Sequence, residues 1–277
     1  MLICVAAGVV GAAALFGAAS MRDIVQRASP LRHAASALGI PVDWELNFQW
    51  PGSVEESELY RFHNLLLGID IGICGLIAIL LIYVVWRFRS SRQPVPTRTT
   101  HNTPLEVLWT LMPVLVLIFI AFPSFKLLAR FNPQSAPGGA LTVKVTGHQW
   151  YWEYQYPGHG GIDVNSMIVP DDKLAPAQKD RRLLIADNYA VLPVDTVIHF
   201  QITGADVIHS FMVPSLGVQK YGIPGRFNEA FAVIDREGTY YGQCNQICGA
   251  NHAFMPIAIR AVSKERFASW LKEQHGK

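Results

Sequence analysis

Two unbroken apolar runs constrain this chain more than anything else in it. Leu65–Trp86 covers 22 residues with one charge, Asp70, and Leu105–Phe125 covers 21 with one charge, Glu106, at its start. About 20 apolar residues wound as a helix cross the hydrocarbon core of a bilayer. Backbone inside that core must satisfy its own hydrogen bonds, so each run is predicted to be a membrane-spanning helix. Pro113 and Pro123 in the second run would break a helix in water but are tolerated in lipid. Two buried helices of a soluble core are the alternative, and their length argues against it. Composition agrees: 16% of residues are charged, against roughly 25% in an ordinary soluble domain.

Charge orients the hairpin. The loop between the runs carries Arg87, Arg89, Arg92 and Arg98 and no acid, which places it in the cytoplasm. The preceding segment carries Asp43, Glu45, Glu55, Glu56 and Glu58 against Arg61, which suits the outside. Both flanks therefore face outward. Met1–Ser20 is a third apolar stretch, small and rich in Ala, Gly and Val, and reads as a possible export signal ending in Gly17-Ala18-Ala19. Its basic residues Arg22, Arg27 and Arg32 follow the apolar run instead of preceding it, and Met21 is an alternative start. The expected division is an export segment over 1–39, a flank and two-span hairpin over 40–130, and an extracytoplasmic domain over 131–277.

After Asn132–Ala140, a linker rich in Pro, Gly and Ser, the periodicity changes. Leu141, Val143 and Val145 alternate with Thr142, Lys144 and Thr146; Ile198, Phe200 and Ile202 alternate with His199, Gln201 and Thr203. Turn signals recur at Tyr156-Pro157-Gly158, Ile223-Pro224-Gly225 and Glu237-Gly238. Short alternating strands with frequent turns predict a β-sandwich or barrel from Leu141 to about Val262. Phe267, Trp270 and Leu271 at helical spacing predict a closing helix over Ser263–Gln274. The fold class is thus a membrane-anchored all-β protein.

The chemistry concentrates in one stretch. Cys244, Cys248, His252 and Met255 fall within twelve residues, after a Tyr- and Gly-rich strand over Gly238–Gln243. Thiolate and thioether together favour copper, which imidazole also suits. Magnesium or calcium would need carboxylates, which this loop lacks. Zinc remains an alternative with a fourth ligand from elsewhere, although CxxxC is less usual for it than CxxC and Met is a poor zinc ligand. A disulfide is the other alternative in an oxidising compartment. Cys4 and Cys74 lie in apolar segments, and no CxxCH is present to attach haem. His209, after the Phe200 strand and before a Pro turn, is a candidate imidazole from an adjacent strand. A net charge of +2 with no basic run gives no footprint for nucleic acid.

These motifs resemble subunit 2 of the haem–copper cytochrome c oxidases, from about Pro41 to about Val262. The resemblance rests on Gly147-His148-Gln149-Trp150-Tyr151-Trp152, Asp206-Val207-Ile208-His209-Ser210, Val213-Pro214-Ser215-Leu216-Gly217, Ile223-Pro224-Gly225-Arg226, Tyr240-Tyr241-Gly242-Gln243-Cys244, and Cys248-Gly249 through His252 to Met255-Pro256. It implies a cupredoxin-like domain holding a binuclear Cu(A) centre. Cys244 and Cys248 would bridge two copper ions, with His209, His252, Met255 and the carbonyl of Gln246 as the other ligands. Trp150 would receive electrons, and Asp187 and Asp206 would dock cytochrome c. Glu106 would sit at the cytoplasmic mouth of a proton path. The implied partners are oxidase subunit 1, subunit 3, cytochrome c and membrane lipid, in a bacterial inner membrane with the domain in the periplasm. The chain would pass electrons to haem in subunit 1, for oxygen reduction and proton pumping, and turn nothing over alone.

The sequence also departs from that family. Gln246 stands where the family carries Glu, whose carboxylate reaches a magnesium ion at the subunit 1 interface. Lys220-Tyr221-Gly222 replaces the usual Thr-Asp pair, and Ala205 replaces an acid before Asp206. The resemblance therefore leaves magnesium in doubt, weakened, lost or replaced by the Lys220 cation. Phe211 replaces a Trp. Residues 141–260 hold 11 acids and 9 bases, so charge-based docking is expected to be weak or to use a different partner. Rival readings are a quinol oxidase subunit, which lacks the copper ligands, nitrous oxide reductase, which needs a propeller domain, and a structural membrane protein with a Cys244–Cys248 disulfide.

Overall fold

The computed structural model describes residues 39–42, 45, 47–95, 98–131 and 139–276. Nearly all of the proposed export segment and most of the Asn132–Ala140 linker lie outside the described residues.

Both apolar runs are helical. Helix α1, Val54–Arg87, has 34 residues, about 51 Å at 1.5 Å per residue, against a hydrocarbon core of about 30 Å. Its first turns (Glu55, Glu56, Glu58, Arg61, Asn64) are polar, so the helix is longer than its apolar part. Helix α2, Thr103–Arg130, is capped by Asn102, whose side chain accepts from the Leu105 N–H. Pro113 and Pro123 lie inside α2 without ending it. No residue of α2 is buried, which leaves Leu115, Leu117 and Phe122 for lipid or another subunit. Arg130 at the end of α2 meets Glu58 of α1 at 3.1 Å.

The β domain is two five-stranded sheets. Its strands are β1 Leu141–His148, β2 Tyr151–Tyr156, β3 Ile162–Ser166, β4 Ala190–Pro193, β5 Val197–Gly204, β6 His209–Val213, β7 Val218–Gly222, β8 Asn228–Val233, β9 Gly238–Cys244 and β10 Pro256–Val262. Helix α3, Lys264–His275, closes it. One sheet runs β3-β2-β1-β5-β8 and the other β4-β10-β9-β6-β7. The β1–β5 and β4–β10 pairs are parallel, and the remaining pairs are antiparallel. The alternation expected in β1 and β5 holds at Val143, Val145, Ile198, Phe200 and Ile202, buried between the sheets, and at Thr142, Lys144, His199 and Gln201, half-buried on the outer face; it fails at the strand ends, where Leu141 is half-buried and Thr146 and Thr203 are buried. Trp152, Tyr154, Tyr156, Phe211 and Tyr240 fill the space between the sheets. Phe267 of α3 is buried and Trp270 packs on Tyr156 at 5.1 Å.

The stretch before α1 is more than a polar flank. Gly52 donates its N–H to the Ser215 carbonyl at 2.7 Å and accepts from the Asp235 N–H at 3.2 Å. A Cβ on Gly52 would lie 2.1 Å from Cε1 of Tyr240, so only glycine fits this approach. Ser53 caps α1 by accepting from the Glu56 N–H at 3.0 Å, and its hydroxyl donates to the Leu216 carbonyl at 2.8 Å. Glu55 accepts the Val233 N–H at 2.8 Å. The start of α1 is thereby fixed to the Pro214–Leu216 turn and to β8. That turn follows the last residue of β6, and His209 is its first. Four strand steps, about 14 Å, separate the anchor from the candidate metal ligand.

Candidate metal centre

Strand pairing converges residues far apart in sequence. β6 and β9 pair antiparallel with Phe211 opposite Cys244, and the Asn245 N–H donates to the Ser210 carbonyl at 3.0 Å. This sets His209 at the start of β6 beside Cys244 at the end of β9. Pro256 of β10 then pairs opposite Gln243 of β9, so both ends of the Cys244–Met255 loop are pinned to one ladder.

Within this frame the donors close on one another. Cys244 Sγ lies 3.8 Å from Cys248 Sγ, 3.9 Å from His209 Nδ1 and 3.3 Å from the Gln246 carbonyl oxygen. Cys248 Sγ lies 3.5 Å from His252 Nδ1 and 3.5 Å from Met255 Sδ. A disulfide requires about 2.05 Å between sulfurs, so these are two free thiols. The ligating atoms of His209, Cys244 and Cys248, all three buried, lie within 4.8 Å of one another. Two thiols, two imidazole nitrogens and a thioether form a soft donor set that fits copper.

Burial opposes ionising both thiols, with opposite net results. At Cys244, hydrogen bonding with His209 and the backbone at Ser210 and Gln246 outweighs burial, and the thiol comes down to about 6. Burial and the charge on Cys244 push Cys248 up to about 12. A bound cation removes that mutual repulsion and deprotonates both.

The surrounding shell fixes each ligand. The His209 ring is fully buried, with Nε2 2.8 Å from Asp206 Oδ1. Burial disfavours the charged imidazole, but hydrogen bonding and charge from Cys244 and Asp206 outweigh it and raise its pKa. Asp206 is held below the usual carboxylate range: its partial burial is outweighed by His209 and the backbone N–H groups of Val207 and Gln149. Gly147 leaves room for the imidazole, since a Cβ there would lie 2.8 Å from His209 Cγ and Cδ2. Trp152 is fully buried and donates its indole N–H to the Met255 carbonyl at 3.2 Å. Trp150 is half-buried and donates its indole N–H to the Cys248 carbonyl at 3.3 Å; Gln149 Nε2 reaches the same carbonyl at 2.8 Å. Gly249, at φ +124°, lies under both side chains, where a Cβ would come within 3.0 Å of Trp150.

The structure thus gathers His209, Cys244, Gln246, Cys248, His252 and Met255, with Trp150 against the loop and Asp206 against His209. Asp187 is placed elsewhere: it is exposed, and its carboxylate accepts the Met167 and Asn188 N–H groups at 2.7 Å each, holding a separate turn. Glu106 lies in the first turn of α2, half-buried, accepting the Asn102 N–H at 3.2 Å. Lys220 and Tyr221 are exposed on β7. Sequence reasoning missed Gln149, Gly147 and Gly249. The Asp206–His209 bond had a visible signal, an acid three residues before a candidate ligand.

Fold and site together define a membrane-anchored, cupredoxin-like β-sandwich with a cysteine- and histidine-rich metal pocket. Comparison with known proteins narrows the class. Residues 141–262 match the family model for the cytochrome c oxidase subunit II periplasmic domain, and residues 41–127 match that for its transmembrane domain. A probable cytochrome c oxidase subunit 2 of Rickettsia bellii is 44% identical over 85% of this chain and 86% of its own length. Cytochrome c oxidase subunit 2 of Cereibacter sphaeroides is 36% identical over 90% of this chain and 86% of its own length. A crystal structure of the periplasmic domain of subunit II of cytochrome oxidase of Bradyrhizobium japonicum is 48% identical, covering 50% of this chain and 96% of that chain with a TM-score of 0.46. The chain belongs to the cytochrome c oxidase subunit II family. It is the subunit of a haem–copper oxidase through which electrons enter.

Proposed function

We propose that this subunit takes single electrons from cytochrome c at a binuclear Cu(A) centre and passes them to haem in subunit 1. The observation that carries the reading is the pair of unlinked thiols 3.8 Å apart, with His209, His252, Met255 and the Gln246 carbonyl closing around them. Bound there, copper supplies a one-electron couple. Cys244 and Cys248 would hold it through their thiolates. His209 and His252 offer Nδ1, Met255 its thioether, and Gln246 its carbonyl.

The protein's own work is to hold these donors still. Each ligand stands on a strand end or on a loop fixed by backbone bonds, so little is free to rearrange when charge changes. Trp150 lies between solvent and the Cys248 carbonyl, a position suited to receiving an electron. Asp187 is exposed and available for docking a basic partner. Glu106 lies at the arginine-rich end of α2, where a carboxylate suits the mouth of a proton path.

The loop arginines support a β domain in the periplasm of a bacterial inner membrane, and the bare faces of α1 and α2 suit contact with subunits 1 and 3 and lipid. Gln246 presents a neutral amide where a hard dication needs a carboxylate, so these residues do not favour magnesium at the subunit 1 interface. Copper analysis and electron paramagnetic resonance of the purified oxidase test the reading. Two coppers per chain outside subunit 1 and a seven-line hyperfine pattern are expected. No copper in this subunit, with both thiols oxidised, would overturn it.

A further inference from the structure

The two nitrogens of His209 have different neighbours. Nδ1 faces Cys244 Sγ at 3.9 Å, and Nε2 lies 2.8 Å from Asp206 Oδ1. Around the fully buried ring lie the edge of Trp152 at 5.9 Å and the bare backbone of Gly147. Neither can set which way the ring turns, which leaves that task to Asp206. A carboxylate accepting Nε2–H fixes the tautomer that leaves the Nδ1 lone pair free for a metal.

That carboxylate has further partners. Oδ1 also accepts the Val207 N–H at 2.6 Å, and Oδ2 accepts the Gln149 N–H at 2.7 Å. Gln149 in turn donates from Nε2 to the Cys248 carbonyl at 2.8 Å. A continuous chain of hydrogen bonds therefore runs from His209 through Asp206 and Gln149 to Cys248. It joins the β6 ligand to the β9–β10 loop on the side away from the thiols. Trp150, the neighbour of Gln149, donates to the same Cys248 carbonyl. Asp206 thus has three hydrogen-bond donors within 2.8 Å.

We infer that Asp206 and Gln149 are positioning residues, a brace that fixes His209 and the Cys248 loop relative to each other. The inference rests on the copper reading proposed above. Outer partners of metal-bound histidine typically hold metal affinity by 10- to 100-fold. Removing the carboxylate frees the ring to turn, and removing the Gln149 side chain leaves the Cys248 carbonyl with the longer Trp150 bond alone.

The test uses the full chain in detergent micelles, loaded with copper, as wild type and as Asp206→Ala, Asp206→Asn, Gln149→Leu and Asp187→Asn. Three quantities are read: copper retained against a chelator, the hyperfine pattern, and the ionic-strength dependence of reduction by cytochrome c. Asp206→Ala is expected to retain copper about 10- to 100-fold less tightly, with an altered hyperfine pattern. Asp206→Asn, which keeps an acceptor oxygen without the charge, should fall between it and wild type. Gln149→Leu should alter the hyperfine pattern, and Asp187→Asn should match wild type in pattern and retention. Should Asp206→Ala fail to fold, the isosteric Asp206→Asn carries the comparison. Wild-type retention and spectrum in both Asp206 variants would overturn the brace, whatever their salt dependence. A wild-type chain that takes up no copper would overturn the copper reading itself, a distinct outcome.

Discussion

Replacing Gly147 with alanine tests whether the strand beside His209 was shaped for the imidazole. Gly147 pairs with Trp152 on β2 and with Gly204 on β5, so its backbone is held on both sides. An added Cβ would lie 2.8 Å from His209 Cγ and Cδ2 and 2.9 Å from its Cβ. Carbon atoms in contact prefer at least about 3.5 Å, so something must move by about 0.7 Å. The backbone resists, and the ring is fully buried against Trp152 and bonded to Asp206 at 2.8 Å. A ring displaced by that much stretches the Asp206 bond to the limit of a hydrogen bond and moves Nδ1 relative to Cys244. Overpacking of this kind costs about 1–3 kcal/mol, offset by about 0.5–1 kcal/mol because glycine in a strand interior carries an entropic penalty. The net loss of about 1–2 kcal/mol should lower the unfolding midpoint of the copper-free chain by several degrees. The copper-loaded variant should show a changed hyperfine pattern. A variant with wild-type midpoint and spectrum would refute the reasoning, because it would show that the strand had room to spare.

Three further outcomes follow from the same geometry. Ser53→Ala removes the α1 cap, worth about 0.5–2 kcal/mol, and leaves the buried Leu216 carbonyl without its donor, about 1–3 kcal/mol more; denaturant unfolding should show the loss, and an unchanged midpoint would mean that the helix start is not fixed to the domain as described. Trp152→Phe keeps an aromatic ring but takes the indole N–H from the Met255 carbonyl, so stability should fall by about 1–3 kcal/mol and the visible spectrum of the loaded protein should shift as Met255 loosens; a silent spectrum would detach Trp152 from the site. Burial raises the phenols of Tyr154, Tyr156 and Tyr240 far above their ordinary value of about 10. The native state then holds protons that the unfolded state has released, so the stability they contribute is complete below pH ~10 and falls as pH rises above it. Tyrosinate absorbance should rise in one phase for accessible rings and in a second that coincides with unfolding; a single smooth phase would contradict the burial.

What the sequence made legible divides along physical lines. The two spans could be read because lipid imposes length and apolarity on each helix independently of its neighbours. The alternation in β1 and β5 could be read because one face of each strand is buried. Five of the six proposed ligands are side chains, and four of these lie within twelve residues, so donor chemistry alone pointed to a soft metal. The supporting shell could not be read. Gln149 and Asp206 are 57 positions apart, and Gln149 and Cys248 are 99 apart. Their meeting depends on the β1–β5 and β6–β9 pairings, which no local pattern encodes. Gly52 and Gly147 are likewise unremarkable until the ring each faces, Tyr240 or His209, is in place. At Asp206 the resemblance offered a docking charge, and the fold adds a bond from its carboxylate to the His209 ring.

The same long-range bonds suit the loop to the one-electron role proposed for it. A flexible loop carrying two thiols would relax each time its charge changed, and that relaxation would slow transfer. Here the loop's ends are held by the Gln243–Pro256 pairing, and Cys244 is held against β6 opposite Phe211. The Cys248 carbonyl is held from outside by Gln149 and Trp150, and the Met255 carbonyl by Trp152. These three residues belong to the β1–β2 hairpin, in the sheet opposite the one that supplies His209 and Cys244. The ligands are therefore clamped between the two sheets, and movement of any one must disturb the packing of both. Rigidity at this end of the sandwich is a property of the fold, built before a metal arrives, and it is why the shell residues matter as much as the donors they hold.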